Sequence, residues 1–283
     1  MDGVREAAVA GTFYPADPAR LRDQIDEMLG VAARARPATA PPAAATEGPE
    51  PDATPPRALI APHAGYVYSG PIAATAFHTI AAAAPTIRRA VVIGPSHYVP
   101  FTGVALPEAE VFRTPLGDLP LDAEAVDRLH ELDGIVTWME PHRREHALEV
   151  ELPFLQRLLG EVPIVPLVTG AATPEQVAAA LDLVWDDETL LVVSSDLSHF
   201  HDYDTARRID ADTAEIIVSG APENLDERRA CGRLAIQGMQ VCAARRDLHI
   251  ELLDLRNSGD TAGPRDRVVG YGAFRIDWCV QER

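Results

Sequence analysis

Cysteine is scarce in this 283-residue sequence: Cys231, Cys242 and Cys279 stand far apart and form no Cys-x-x-Cys pair. Three scattered thiols exclude a disulfide framework, and reduced cysteines are expected. Positive charge is also short, with 25 Lys+Arg against 43 Asp+Glu and a formal net charge of -18. A field of that sign repels phosphate backbones and anionic lipid, so nucleic acid is not an expected partner. No stretch approaches the ~18 uninterrupted apolar residues of a membrane span. The opening MDGVREAAVAGTFYP lacks a basic n-region and a long apolar h-region. The expectation is a cytoplasmic protein with no membrane partner. Also missing are a Gly-x-Ser-x-Gly nucleophile elbow, a Gly-x-x-x-x-Gly-Lys phosphate loop and a Gly-x-Gly-x-x-Gly fingerprint after the first strands, which sets aside α/β-hydrolase chemistry and nucleotide binding.

What is present suits a globular chain: 47% hydrophobic and 24% charged residues can bury a large core. Asp17 and Pro18 followed by Leu21, Ile25, Met28 and Leu29 predict an N-capped amphipathic helix ending near Ala33. Residues 36–56, rich in Pro, Ala and Thr, offer no large apolar anchor and read as a flexible insertion. Beyond it, short apolar runs alternate with helical patterns. Strands are expected at Ala58–Ala61, Ala90–Ile93, Ile164–Val168 and Leu190–Ser194, with two more at His249–Leu255 and Val268–Ile276. Helices are expected near 71–83, 123–132, 148–159, 174–185, 205–218 and 232–245, and the region up to Pro120 looks looser. This alternation predicts an α/β fold, a single domain over 1–283 with a central mixed or mostly parallel sheet flanked by helices.

Three of the apolar runs end alike. Leu59-Ile60-Ala61 leads to His63, Val91-Val92-Ile93 to His97, and Leu191-Val192-Val193 to Asp196 and His199. Carboxyl ends of parallel strands line the ligand crevice of an open α/β sheet, so these residues should share one rim. Imidazole is the commonest metal ligand, and two histidines with one further donor suit a non-haem iron or a catalytic zinc. Cys231, before a helix expected from Gly232, reads either as that donor, its thiol acidified by the helix terminus, or as a buried structural cysteine. Asp196 and His199 would share a face if their segment were helical, letting the carboxylate orient the imidazole as an acid or base. His142-Arg143-Arg144-Glu145-His146 matches the inverted zinc-protease motif, but the apolar pattern starts only at Leu148; His146 reads instead as a residue supporting the site. Tyr66 and Tyr68 offer aromatic walls for a ligand, and Arg233 a cation for an anionic one. Cys242 and Cys279 read as structural.

Six ordered motifs carry a resemblance. They are Arg5-Glu6 with Ala10-Gly11-Thr12-Phe13-Tyr14-Pro15, Ala61-Pro62-His63-Ala64-Gly65-Tyr66, Gly94-Pro95-Ser96-His97, Glu145-His146-Ala147-Leu148-Glu149-Val150-Glu151-Leu152-Pro153-Phe154, Ser195-Asp196-Leu197-Ser198-His199-Phe200 and Ala230-Cys231-Gly232-Arg233. Together they resemble the Memo family, whose bacterial and archaeal members are called protein B of the AmmeMemoRadiSam system. The resemblance implies a fold like the class III extradiol dioxygenases (LigB-like), in which two histidines and a glutamate hold Fe(II) and another histidine serves as acid/base. It also implies metal ligands at His63, His97 and Cys231, and an acid/base role for His199 beside Asp196. A thiolate in place of a carboxylate moves preference toward copper or zinc, so ring cleavage does not transfer with the fold. Two functions follow as expectations. One is a metal-dependent redox or dioxygenase-like enzyme, with iron first and copper or zinc as alternatives. The other is a non-catalytic metal-handling protein that binds a small molecule, a peptide or other AmmeMemoRadiSam proteins in the same crevice.

Overall fold

The computed structural model describes residues 3–34 and 56–278. The 36–56 segment, apart from Pro56, and Cys279 lie outside the described residues. Four runs dense in Val, Ile, Leu and Ala form the parallel centre of a mixed sheet. Their spatial order is Ala58–Ala61, Thr189–Ser194, Arg89–Pro95, Ile164–Thr169. They are continuously apolar because both faces are covered. Leu59, Ala61 and Val92 pack under the helices Pro18–Arg34, Gly70–His78 and Leu152–Leu159. Ala58, Ile60, Val91 and Ile93 pack under Pro174–Val184, Tyr203–Ser219 and Arg233–Arg245. The α/β class with helices on both faces of a mixed sheet is thus the one the alternation predicts.

Antiparallel strands flank the centre. Val268–Trp278 runs against Ala58–Ala61, and Leu248–Asn257 pairs with it along nearly its whole length. At the other edge Val104–Leu106 opposes Ile164–Thr169 and carries Ile135–Thr137 beside it. A small separate sheet joins Val4–Arg5, Val111–Thr114 and Gly117–Pro120. The loose region before Pro120 therefore holds three short strands, each of three or four residues. They are too brief for alternation to mark them.

Helix ends follow local chemistry. Asp17 accepts the Arg20 amide at 2.8 Å, Thr173 and Gln176 close a capping box around Pro174, and Asp202 accepts the Thr205 amide. Two helices differ from expectation. The one expected to reach Ala83 stops at His78 and gives way to a 3-10 segment containing Pro85. The one expected from Leu148 begins as a 3-10 turn, Glu149–Glu151, because Pro153 has no N–H to return to Glu149. Among the described residues no helix is long and apolar enough to cross a membrane.

The segment 142–151 is held by a buried ion pair. Arg5 and Glu149 are almost wholly buried and paired to each other. Arg5 also donates to His142 O at 3.0 Å and Glu145 O at 2.6 Å. Glu149 accepts the amides of Ala8 and Val9 at 2.8 and 3.0 Å, and the Tyr14 hydroxyl. Each charge is compensated by several partners, and removing one leaves the other buried alone. Arg5→Met should therefore lower unfolding stability by about 3–5 kcal/mol in urea titration, and adding Glu149→Gln should restore part of the loss.

Candidate metal centre

His63, His97 and His146 converge at the carboxyl end of the sheet, with one ligand atom from each lying within 4.8 Å of the others. His63 follows Ala61, His97 follows Pro95, and His146 enters from the segment fixed by Arg5. The ring centroids of His97 and His146 are 4.6 Å apart, and His63 meets both edge-on at 5.2 and 5.4 Å.

The orientations of His63 and His97 are set by the partners of their Nδ1 atoms. Ser194 Oγ donates to Ala147 O at 2.7 Å, with Glu151 Oε1 at 2.9 Å. Its single proton is used there, so it accepts from His63 Nδ1 at 2.8 Å. Glu145 accepts from the His97 amide at 2.6 Å and His97 Nδ1 at 2.8 Å, and from the amides of His146 and Ala147. With Nδ1 donating, Nε2 of His63 carries that ring's lone pair and faces the Cys231 thiol, and Nε2 of His97 carries one once that ring is neutral. Metal-binding histidines have this arrangement, with the second nitrogen anchored and the first available. The donor set fits a transition metal.

Cys231 Sγ lies 3.3 Å from His63 Nε2 and accepts the Asp196 amide at 3.3 Å. Close approach comes from Gly232, where a Cβ would sit 2.6 Å from Ser194 O and 2.7 Å from Ser195 Cβ. Asp196 Oδ1 accepts the His63 amide at 2.8 Å. The carboxylate thus braces a backbone turn. Asp196 and His199 do not share a helix face, since Leu197 and Ser198 run extended beside Gly270 and His199–His201 is a short strand against Val268–Trp278. His199 Nδ1 meets Leu197 O at 2.8 Å, and its ring lies at the half-buried rim.

Of the remaining predicted residues, Tyr66 is core: its hydroxyl donates to Val150 O at 2.8 Å and its ring packs on Phe154, while Tyr68 is the exposed tyrosine. Arg233 opens the helix after Cys231 and lines a cleft beside it. His142 and His146 are not on a common helix: the helix carrying His142 is Glu140–Arg143, and His142 donates from Nε2 to Ala105 O. Glu145, Ser194 and Glu151 were not singled out in the sequence as supports. Glu145 stood there only within the protease-like and family motifs, and its hold on His97 rests on a contact 48 residues away.

Electrostatics divide the rings. Burial, with the neighbouring His97, pushes His63 down to about 3. Burial and His63 push His146 down to about 4. Burial alone would also lower His97, but the hydrogen bond and charge of Glu145 outweigh it and raise His97 above its ordinary value. Burial opposes ionisation of Glu145, yet its bonds to His97 hold it down at about 2. The thiol of Cys231 is pushed up to about 12 by burial and by Asp196, the reverse of the acidification expected from a helix terminus. In the metal-free protein, imidazole NMR should find His97 protonated above pH 6.5 while His63 and His146 are neutral. Glu145→Gln removes the anion but not the burial, and should move His97 below 6.5.

Comparison with known proteins adds family context. A family model described as Memo-like protein matches residues 5–275. A MEMO1 family protein of Ignicoccus hospitalis is 34% identical over 96% of this chain and 98% of its own length. One from Thermotoga maritima is 35% identical over 94% of this chain and 97% of its own. The solved structure of uncharacterized protein JW3007 from Escherichia coli K12 covers 77% of this chain and 98% of that chain. Its TM-score of 0.48 and 14% identity make it too distant to argue from.

Proposed function

The chain belongs to the Memo family, and on that premise we propose that it is a metal-dependent redox protein acting on a small molecule in the crevice at the carboxyl end of its sheet. The observation that carries this reading is the convergence of three imidazoles, two of them anchored at Nδ1, beside the Cys231 thiol. His63, His97 and Cys231 would hold the metal, with His146 close enough to add a fourth donor. Iron is the first candidate, and the thiol makes copper or zinc the alternatives. Bound there, iron or copper supplies the one-electron chemistry that no side chain here provides.

The chain's own residues have separable tasks. Glu145 and Ser194 hold the two anchored rings in one tautomer. Asp196 fixes the backbone of His63 and the cysteine together. His199, at the rim with its Nδ1 tied to Leu197 O, keeps Nε2 to take a proton from a bound reactant and return it.

Ligation requires His97 and Cys231 to give up protons that the metal-free site retains. Apparent metal affinity should therefore rise as the pH is raised, with proton release visible in calorimetry. Anaerobic loading with Fe(II) followed by metal analysis should give about one equivalent per chain. His63→Ala and His97→Ala should each cost more than the ~10–100-fold typical of losing an outer support. Unchanged loading in both variants would sink the metal-centre reading. Exposed Tyr68, Tyr98 and Phe200 favour a second reading, a binding protein without turnover. It loses if the iron-loaded protein consumes oxygen with an aromatic substrate in a His199-dependent way.

A further inference from the structure

Beside Cys231 a cleft of about 320 Å³ opens between the end of Arg89–Pro95 and the start of Arg233–Arg245. That volume is at the small end of ligand sites. Pro95 and Phe101 form an apolar wall, and Cys231 lines the end that touches His63 at 3.3 Å. Arg233 stands on the cleft wall, half-buried, and among the described residues its guanidinium has no hydrogen-bond or ion-pair partner. This sets it apart from Arg5, Arg57, Arg89, Arg113 and Arg157, each of which pairs with a carboxylate. A partly desolvated cation without a counter-ion is an incomplete pair, and its planar fork of donors matches a carboxylate.

Extending the metal-site reading, we infer that this cleft binds a small organic carboxylate with an apolar or aromatic body, anchored by Arg233 and reaching toward Cys231 and His63. One cation is available, and Glu227 lines the same cleft. That balance suits a monoanion and opposes a dianionic phosphate ester, for which a second cation would be needed beside the acid. Phe101 supplies aromatic surface for a planar body, and Trp138 packs against it in a T-shaped pair with ring centroids 6.2 Å apart. Arg233 and Cys231 flank Gly232 at the start of one helix, so a ligand anchored by Arg233 lies beside the thiol. A carboxylate so held arrives oriented rather than merely concentrated.

Benzoate, its neutral analogue benzamide and phenyl phosphate test this by NMR titration of the full chain. Metal-free and zinc-loaded protein are compared, with Trp138 side-chain signals reporting on the cleft. Benzoate should bind and benzamide should bind at least tenfold more weakly. Arg233→Met should weaken benzoate about 10- to 100-fold, as expected for loss of a charge-assisted bond, and Arg233→Lys should recover part. Thermal melting of both variants checks that they fold. Equal binding of benzoate and benzamide, no benzoate binding, or an unchanged affinity in folded Arg233→Met would overturn the assignment. Tighter binding of phenyl phosphate would overturn the monoanion choice. His97→Ala separates the two proposals. It should lose metal yet keep Arg233-dependent benzoate binding in the metal-free state, so failure of the metal centre and failure of the anion anchor show as different results.

Discussion

Two charges withdrawn from water, Arg5 and Glu149, place constraints on much of the molecule. A buried guanidinium needs an anion and acceptors for its remaining protons, and a buried carboxylate needs donors for its lone pairs. The chain meets both needs by bringing the amino-terminal segment across the loop that precedes Leu152–Leu159. That fastening fixes the backbone at Glu145, and through it the position of His146 and the anchor of His97. The site thus depends on a pair that touches none of its donor atoms.

Within the site, similar groups perform different work because their surroundings differ. Glu145 is ionised and accepts from four donors, while Glu151, also buried, is pushed well above the usual carboxylate range by burial. One holds a ring by charge. The other sits behind Ser194 as a neutral partner in the chain of hydrogen bonds that ends at His63. Metal ligation would replace the protons on His97 and the thiol, which makes the cluster a proton-sensitive one even where individual rings are neutral.

The sheet and its rim were legible in the sequence for a physical reason. Fully buried parallel strands must be apolar throughout, and the residues just beyond Ala61, Pro95 and Ser194 are forced to one edge, so His63, His97 and Asp196 could be grouped without knowledge of the fold. His146 could not, because it arrives from a loop whose position is set by Arg5 rather than by a strand. The relation of Asp196 to His199 was misjudged for a similar reason: spacing of three suggests a helix turn, but pairing of Leu197 and Ser198 with Gly270 keeps the segment extended. Short strands such as Val104–Leu106 and Ile135–Thr137 owe their conformation to neighbours, not to periodicity. Cys231 reads ambiguously from sequence because its approach to His63 depends on the missing side chain of Gly232, a contact between distant segments.

Leu248–Asn257 pairs with Val268–Trp278 and with no other strand among the described residues, so it stands as an edge of the described sheet. Long flat edges of that kind invite sheet-to-sheet aggregation. Here the register shifts between Leu252 and Asp254, and Glu251, Asp254 and Arg256 place both signs of charge along the same strand. A further strand would have to match an irregular ladder. The distortion that interrupts the pairing at this edge therefore also disfavours a further strand beside a sheet whose centre is a continuous block of Val, Ile and Leu.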